Sequence, residues 1–162
     1  VAFVNKSDIL NGLQLGLYNF NGEKDIVPRP SSISGKRNVN GIQVGILNDL
    51  SDAINGLQVG LINKTRISNG FQLGIINKFQ TQCGISIAMI NCNNNFWNIL
   101  AENNSVIIGG INILSSNVLS IGFINYTKDH LSSGLEIGII NIIQTNPWYA
   151  KVLPIVNFNM KK

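Results

Sequence analysis

The stretch NGLQVGLINKTRISNGFQLGIIN, Asn55 to Asn77, spells nearly the same string twice at a spacing of fourteen residues. Self-similarity at fixed spacing marks a repeat architecture and limits the fold before any single residue is weighed. Aligned on the closing Asn, candidate copies end at Asn5, Asn19, Asn48, Asn63, Asn77, Asn91, Asn112, Asn125, Asn141 and Asn157. The clearest read LQLGLYN, IQVGILN, LQVGLIN and FQLGIIN; worn ones read ISIAMIN, VIIGGIN, LSIGFIN, LEIGIIN and VLPIVN. Spacing is thirteen to sixteen residues except after Asn19 and after Asn91.

Within a copy the period is two, which makes each copy a short strand. Leu57, Val59 and Leu61 face one way, Gln58 and Gly60 the other, and the aliphatic side is read as the core. Asn-Gly at Asn11, Asn40, Asn55 and Asn69 supplies the positive φ of a tight corner. Between Asn63 and the next Asn-Gly stand only KTRIS, enough for a corner and a short second strand.

Two topologies can use such a unit. In a β-solenoid every rung runs the same way and like residues stack about 4.8 Å apart. In an antiparallel meander Gln58 would not lie beside Gln72. The markers are off-centre, with Gln two before Gly and Asn three after it, and they recur in one order. Stacking explains that order, because amide side chains hydrogen-bond along a column of their own kind. The expectation is an all-β solenoid of about ten rungs of 13–16 residues with parallel stacking; the alternatives are an antiparallel β-barrel or a single-layer sheet of hairpins. Asp49 and Lys64, each just after a closing Asn, would then meet as a cross-rung pair.

The whole chain, 1–162, reads as one repeat domain. Residues 20–39, with two of the four prolines, read as an extruded loop; 92–105, carrying Phe96, Trp97, Ile99 and Leu100, as an inserted apolar loop. Residues 142–162 depart from the motif and read as a capping segment, with Pro154 where Gly belongs.

The columns suggest surfaces. The closing amides Asn48, Asn63, Asn77, Asn91, Asn112, Asn125 and Asn141 form a buried structural ladder at the bend. The glycine column, Gly45, Gly60 and Gly74 among its members, implies close approach to the backbone, by a packed neighbour or by a partner in a groove. Two apolar residues precede each closing Asn, and strict alternation turns one outward. Tyr18, Leu47, Ile62, Ile76, Ile90, Ile111, Ile124, Ile140 and Val156 would then line an apolar stripe, unless a bend turns both inward. A candidate contact face follows: Gln14, Gln43, Gln58, Gln72, Gly45, Gly60, Gly74, Leu47, Ile62 and Ile76.

Chemistry is sparse. The chain has 25 Asn in its 162 residues, which disfavours helices, and charged residues make up only 12%. The single histidine, His130, sits beside Asp129 in a corner without a second ligand or nucleophile at useful spacing. Asp8, Glu23, Asp25, Asp49, Asp52, Glu102 and Asp129 scatter among corners, and only Glu136 lies in the motif, in the Gln column. The net charge of +4 is dispersed rather than gathered on one element, which argues against nucleic acid. If GISIAMIN is extended, Cys83 and Cys92 lie too far apart for a disulfide. No cofactor or metal is implied, and no run of apolar residues reaches the length of a membrane helix.

The motif NG-[LIF]-Q-[LV]-G-[LI]-[IL]-N, with the ending Pro154-Ile155-Val156-Asn157-Phe158, resembles the surface-repeat proteins of spirochaetes, especially leptospires. The resemblance covers nearly the whole chain outside 20–39. It implies export to the cell surface or envelope and carries no enzymatic activity or catalytic residues. The functional expectation is a non-enzymatic binding or scaffolding surface for a protein or envelope component, self-associating through the apolar stripe. A membrane-associated β protein is the alternative, and an enzyme with a site on the 20–39 loop is the third reading.

Overall fold

Gln58 stands beside Gln72, strand to strand and pointing the same way, so the chain is a parallel β-solenoid. The computed structural model describes residues 2–7, 10–21, 38–93, 104–115, 119–128 and 134–159. Strands β1 (Ala2–Ser7), β2 (Leu10–Asn21), β3 (Asn38–Ser68), β4 (Phe71–Leu73), β5 (Ile76–Asn93), β6 (Asn104–Leu114), β7 (Leu119–Thr127) and β8 (Leu135–Ile143) stack in chain order, each parallel to the next. β3 and β5 are long because the strand continues around the corners of successive coils. Strand β9 (Val152–Phe158) closes the stack and runs antiparallel to β8.

Fewer coils therefore stack in parallel than the ten motif copies suggest, since the tenth copy enters backwards. Gly138 faces Ile155, and Val156 stands opposite Ile137 rather than continuing the column of Ile140. Strand β2 runs through Asn21 and β3 begins at Asn38, so the termini of the expected 20–39 loop are strand; likewise Cys92, Asn93, Asn104 and Ser105. The rest of both loops, with Phe96, Trp97, Ile99 and Leu100, lies outside the described residues, as do His130 and Asp129.

The interior reverses the expected polarity. Gln14, Gln43, Gln58, Gln72, Ser86, Ser120 and Glu136 point inward and are buried, as is the closing-Asn column from Asn19 to Asn141. The aliphatic face expected to be core points outward instead: Leu13, Val44, Ile46, Leu61, Leu73 and Ile85 are all exposed. Buried hydrophobic side chains are few among the described residues; Phe79, Ile107 and Leu114 form one inner cluster, with Ile54 and Ile143 elsewhere. Burying amides in place of aliphatics is tolerable only if every amide finds partners, because an unpaired buried polar group costs about 1–3 kcal/mol.

The ladders meet that condition at nearly every step, Gln72 Oε1 being an exception. Asn19 donates to Asn48 at 2.8 Å, Asn48 to Asn63 at 2.8 Å, and Asn63 to Asn77 at 2.9 Å. The column resumes from Asn91 to Asn112, Asn112 to Asn125 and Asn125 to Asn141. The second amide hydrogen goes to a backbone carbonyl one coil on, as from Asn48 to Val59 O and from Asn63 to Leu73 O, both at 2.9 Å. That carbonyl fixes which side-chain atom is nitrogen, so every amide in the column points the same way. The Gln column points the opposite way, Gln72 donating to Gln58, Gln58 to Gln43 and Gln43 to Gln14. A third ladder, exposed at the Asn-Gly corners, runs with the glutamines: Asn69 to Asn55, Asn55 to Asn40, Asn40 to Asn11. Opposed columns offset each other's aligned dipoles.

Asp49 and Lys64 do meet across the coils, at 3.2 Å. Both cysteines are free thiols.

Candidate contact face

The bend in each coil decides what the outside looks like. Gln58 and Gly60 point inward in alternation, and Asn63 points inward again, so Leu61 and Ile62 turn outward in succession. Neither expectation for the apolar pairs anticipated this: instead of one out, or both in, both members face out in most coils. A side chain on Gly60 would sit 2.5 Å from Asn48 Nδ2 and 2.6 Å from Gly45 O. Gly74 is hemmed in the same way by Asn63 and Asn77. The glycines are there to admit the Asn ladder from within, and the close approach inferred from their column is intramolecular.

Corner glycines answer a second demand. Gly41, Gly56 and Gly84 adopt φ of 154°, 155° and 151°, a region L side chains avoid. A Cβ on Gly56 would also press into the carbonyl oxygen of Gly41.

Outside the bend, four apolar columns run the length of the stack. In one coil they are Leu57, Val59, Leu61 and Ile62; the same positions recur as Phe71, Leu73, Ile75 and Ile76, and as Leu119, Ile121, Phe123 and Ile124. No charged residue occupies any of these columns. The caving of the backbone at glycine sinks a groove between the second and third columns. It holds about 1000 Å³ along the earlier coils, between walls such as Leu15, Val44 and Val59 on one side and Leu17, Ile46 and Leu61 on the other. A smaller hollow of about 550 Å³ lies over Ile108, Ile121, Phe123 and Ile139 near the cap. Ala88, which stands in the glycine column opposite Gly109, lies in the coil between the two hollows, and beside it Met89 projects outward.

The expected contact face is therefore corrected in part. Gln14, Gln43, Gln58 and Gln72 are interior ladder residues and reach no partner. Gly45, Gly60 and Gly74 line the groove, whereas Leu47, Ile62 and Ile76 stand in the outer column beyond its Ile46, Leu61 and Ile75 wall. Sequence reasoning missed Leu13, Val44, Leu61, Phe123 and Ile139, which it assigned to the core. The other arm of the coil is polar outside, with Lys64, Arg66, Asn69 and Lys78 exposed.

Among the described residues, Glu136 and Cys92 are shifted from their ordinary titration values. Burial pushes the Glu136 carboxyl up to about 7; the Thr127 hydroxyl and the Ile142 N–H pull it down by less. Neither carboxylate oxygen makes a hydrogen bond of good geometry. Burial also raises the Cys92 thiol, against the pull of Lys78. Among the described residues no three His, Cys, Asp or Glu side chains come together as metal ligands would.

No family profile, curated protein or solved structure matches this chain.

Proposed function

We propose that the protein is a non-enzymatic contact module, exported to the cell envelope, whose working surface is the uncharged apolar arm of the solenoid. One observation carries this reading: the aliphatic columns face outward along the whole stack while the polar side chains are folded inside. Contiguous apolar patches on monomeric proteins rarely exceed a few hundred Å² and usually mark an interaction site when they do. The inward polar side chains are largely occupied in ladders, which supports scaffolding over catalysis.

The test is cell fractionation with a face-disrupted variant. Leu61→Glu combined with Ile139→Glu leaves the interior untouched and is expected to move the protein from the envelope fraction into the soluble one. Retention of the variant in the envelope at the level of the unaltered chain would refute the face as the contact surface.

A second reading, that the arm meets lipid, is supported by the inverted polarity itself, which resembles that of membrane-embedded β structure with a polar lumen and an apolar exterior. Only one arm is apolar, so the fitting geometry is a slab lying on a bilayer rather than a spanning barrel. There is no helix among the described residues long and apolar enough to cross a membrane. Flotation with phospholipid vesicles separates this reading from the first.

A further inference from the structure

The geometry points to a second copy of this chain as the occupant of the apolar arm. The two stacks pack face to face about a twofold axis and run in opposite directions. The inference rests on the reading of the arm as a contact face and specifies its partner.

Area comes first. Eight coils, from that of Leu13 to that of Ile140, at about 4.8 Å per coil give a face about 38 Å long. Four outward columns at about 3.3 Å per residue around the bend give it a width of about 16 Å. The flat footprint is about 600 Å², and the corrugation of Leu, Ile and Phe side chains enlarges it toward the roughly 800 Å² that each partner gives to a standard interface. Each copy buries few apolar side chains of its own, so the face holds most of the hydrophobic area left to remove from water.

Shape selects the arrangement. The hollow along the earlier coils holds about 1000 Å³, and there the third-column residues Leu17, Ile46, Leu61 and Ile75 are each under half exposed, with Phe3 at the open end of the column 79% exposed. The later coils project further in the same column: Met89, Phe123 and Ile139 are 66%, 66% and 63% exposed, with Gly110 making a notch between the first two. A twofold axis across the middle of the face sets the third column of each copy against that of the other, so that the projecting Met89, Phe123 and Ile139 meet the lower stretch of Ile75, Ile46 and Leu17, and makes two equal contacts, the isologous pattern of closed dimers. Stacks running the same way would set the third column against the second at the same level and leave the high and low stretches unmatched. Neither face has a charge to repel its twin. A lipid surface would accept the same apolar area but would have no use for complementary halves.

Sedimentation of the full chain in detergent-free buffer is expected to give twice the monomer mass of 17.7 kDa. Ile75→Glu with Phe123→Glu should return it to the monomer with an unchanged β circular dichroism spectrum, while Lys64→Glu on the polar arm should remain dimeric. Met89 lies near the twofold, so Met89→Cys in a Cys83→Ser, Cys92→Ser background should link to its own counterpart on mild oxidation. A folded chain that stays monomeric at every concentration overturns the proposal. So does a dimer that survives Ile75→Glu with Phe123→Glu. If a monomer instead floats with phosphatidylcholine–phosphatidylglycerol vesicles and the same double variant releases it, the self-pairing is wrong and the contact face stands. If that variant changes neither mass nor flotation, the contact face itself is wrong.

Discussion

Asn77 reaches Asn91 only through the Ser86 hydroxyl: its amide donates to Ser86 Oγ at 2.8 Å, and Ser86 donates to Asn91 Oδ1 at 2.7 Å. Every other step between neighbouring amides from Asn5 to Asn141 is direct. This is also the coil in which Ala88 stands in the glycine column. Its methyl group takes the space in which the two amides would meet, and the short Ser side chain in the Gln column bridges the gap. The relay has a cost, since Gln72 Oε1, which a glutamine at position 86 could have met, is left without a hydrogen-bond partner.

Ser86→Ala should therefore break the Asn ladder at its midpoint and lower stability by about 2–3 kcal/mol, two buried hydrogen bonds being lost together. Adding Ala88→Gly should restore part of that by letting Asn77 and Asn91 close directly. Urea unfolding of the two single variants and the double variant measures the coupling; strictly additive losses would show that the two positions are independent.

Gly60→Ala puts a methyl group between Asn48 Nδ2, Asn63 Oδ1 and the fixed carbonyl of Gly45. The expected loss is about 2–4 kcal/mol, in the range of other severe steric and hydrogen-bonding defects. A thermal midpoint within a degree or two of the unaltered chain would mean that the ladder tolerates a Cβ without the Ser relay.

Glu136 makes stability depend on pH in a stated direction. Its folded value of about 7 lies above the ordinary 4.5, so the folded state holds a proton that the unfolded state has released. Stability is full below about 4.5, falls as pH rises toward 7, and stays low above it, by an amount on the order of 3 kcal/mol. Glu136→Gln should flatten that window and stabilise the protein at pH 8, as an uncharged amide suits the column. Parallel melting curves for the two proteins from pH 4 to pH 8 would disprove the assignment.

The Asp49–Lys64 pair, by contrast, should matter little. Lys64 is about half exposed, and exposed pairs contribute at most about 1 kcal/mol. Lys64→Ala should shift stability by less than that, with the difference vanishing in 1 M salt; a larger, salt-insensitive loss would place the pair in a network not evident from its geometry.

Much of this fold is legible in the sequence. The off-centre order of Gln, Gly and Asn in each copy already selects parallel stacking, because only that topology sets Gln58 beside Gln72 and Asp49 beside Lys64. What the pattern leaves open is the sign of the face. A period of two says that Leu57 and Gln58 point opposite ways and nothing about which points in, and the usual rule that aliphatics go inside assumes that buried amides lack partners. Here nearly every amide is answered by the coil next to it. The informative signal was Gly60, in phase with Gln58: a column without side chains on the Gln side leaves room there for the inward-turning Asn63, and none is needed beneath an aliphatic core. The backward entry of β9 was less readable, since Val152–Phe158 keeps the closing Asn while reversing direction.

The exposed amides at the corners have a chemical future of their own. Asn40, Asn55 and Asn69 each precede a glycine, the setting in which an asparagine most readily loses ammonia through a cyclic imide. Conversion of Asn55 to an acid would remove the donor that reaches Asn40 and confront its carbonyl oxygen with a carboxylate. A second such event one coil away would place two negative charges within a strand spacing of each other. The array would thus age from its corners, each lesion loosening the register beside it, while the sealed inner columns keep their original composition.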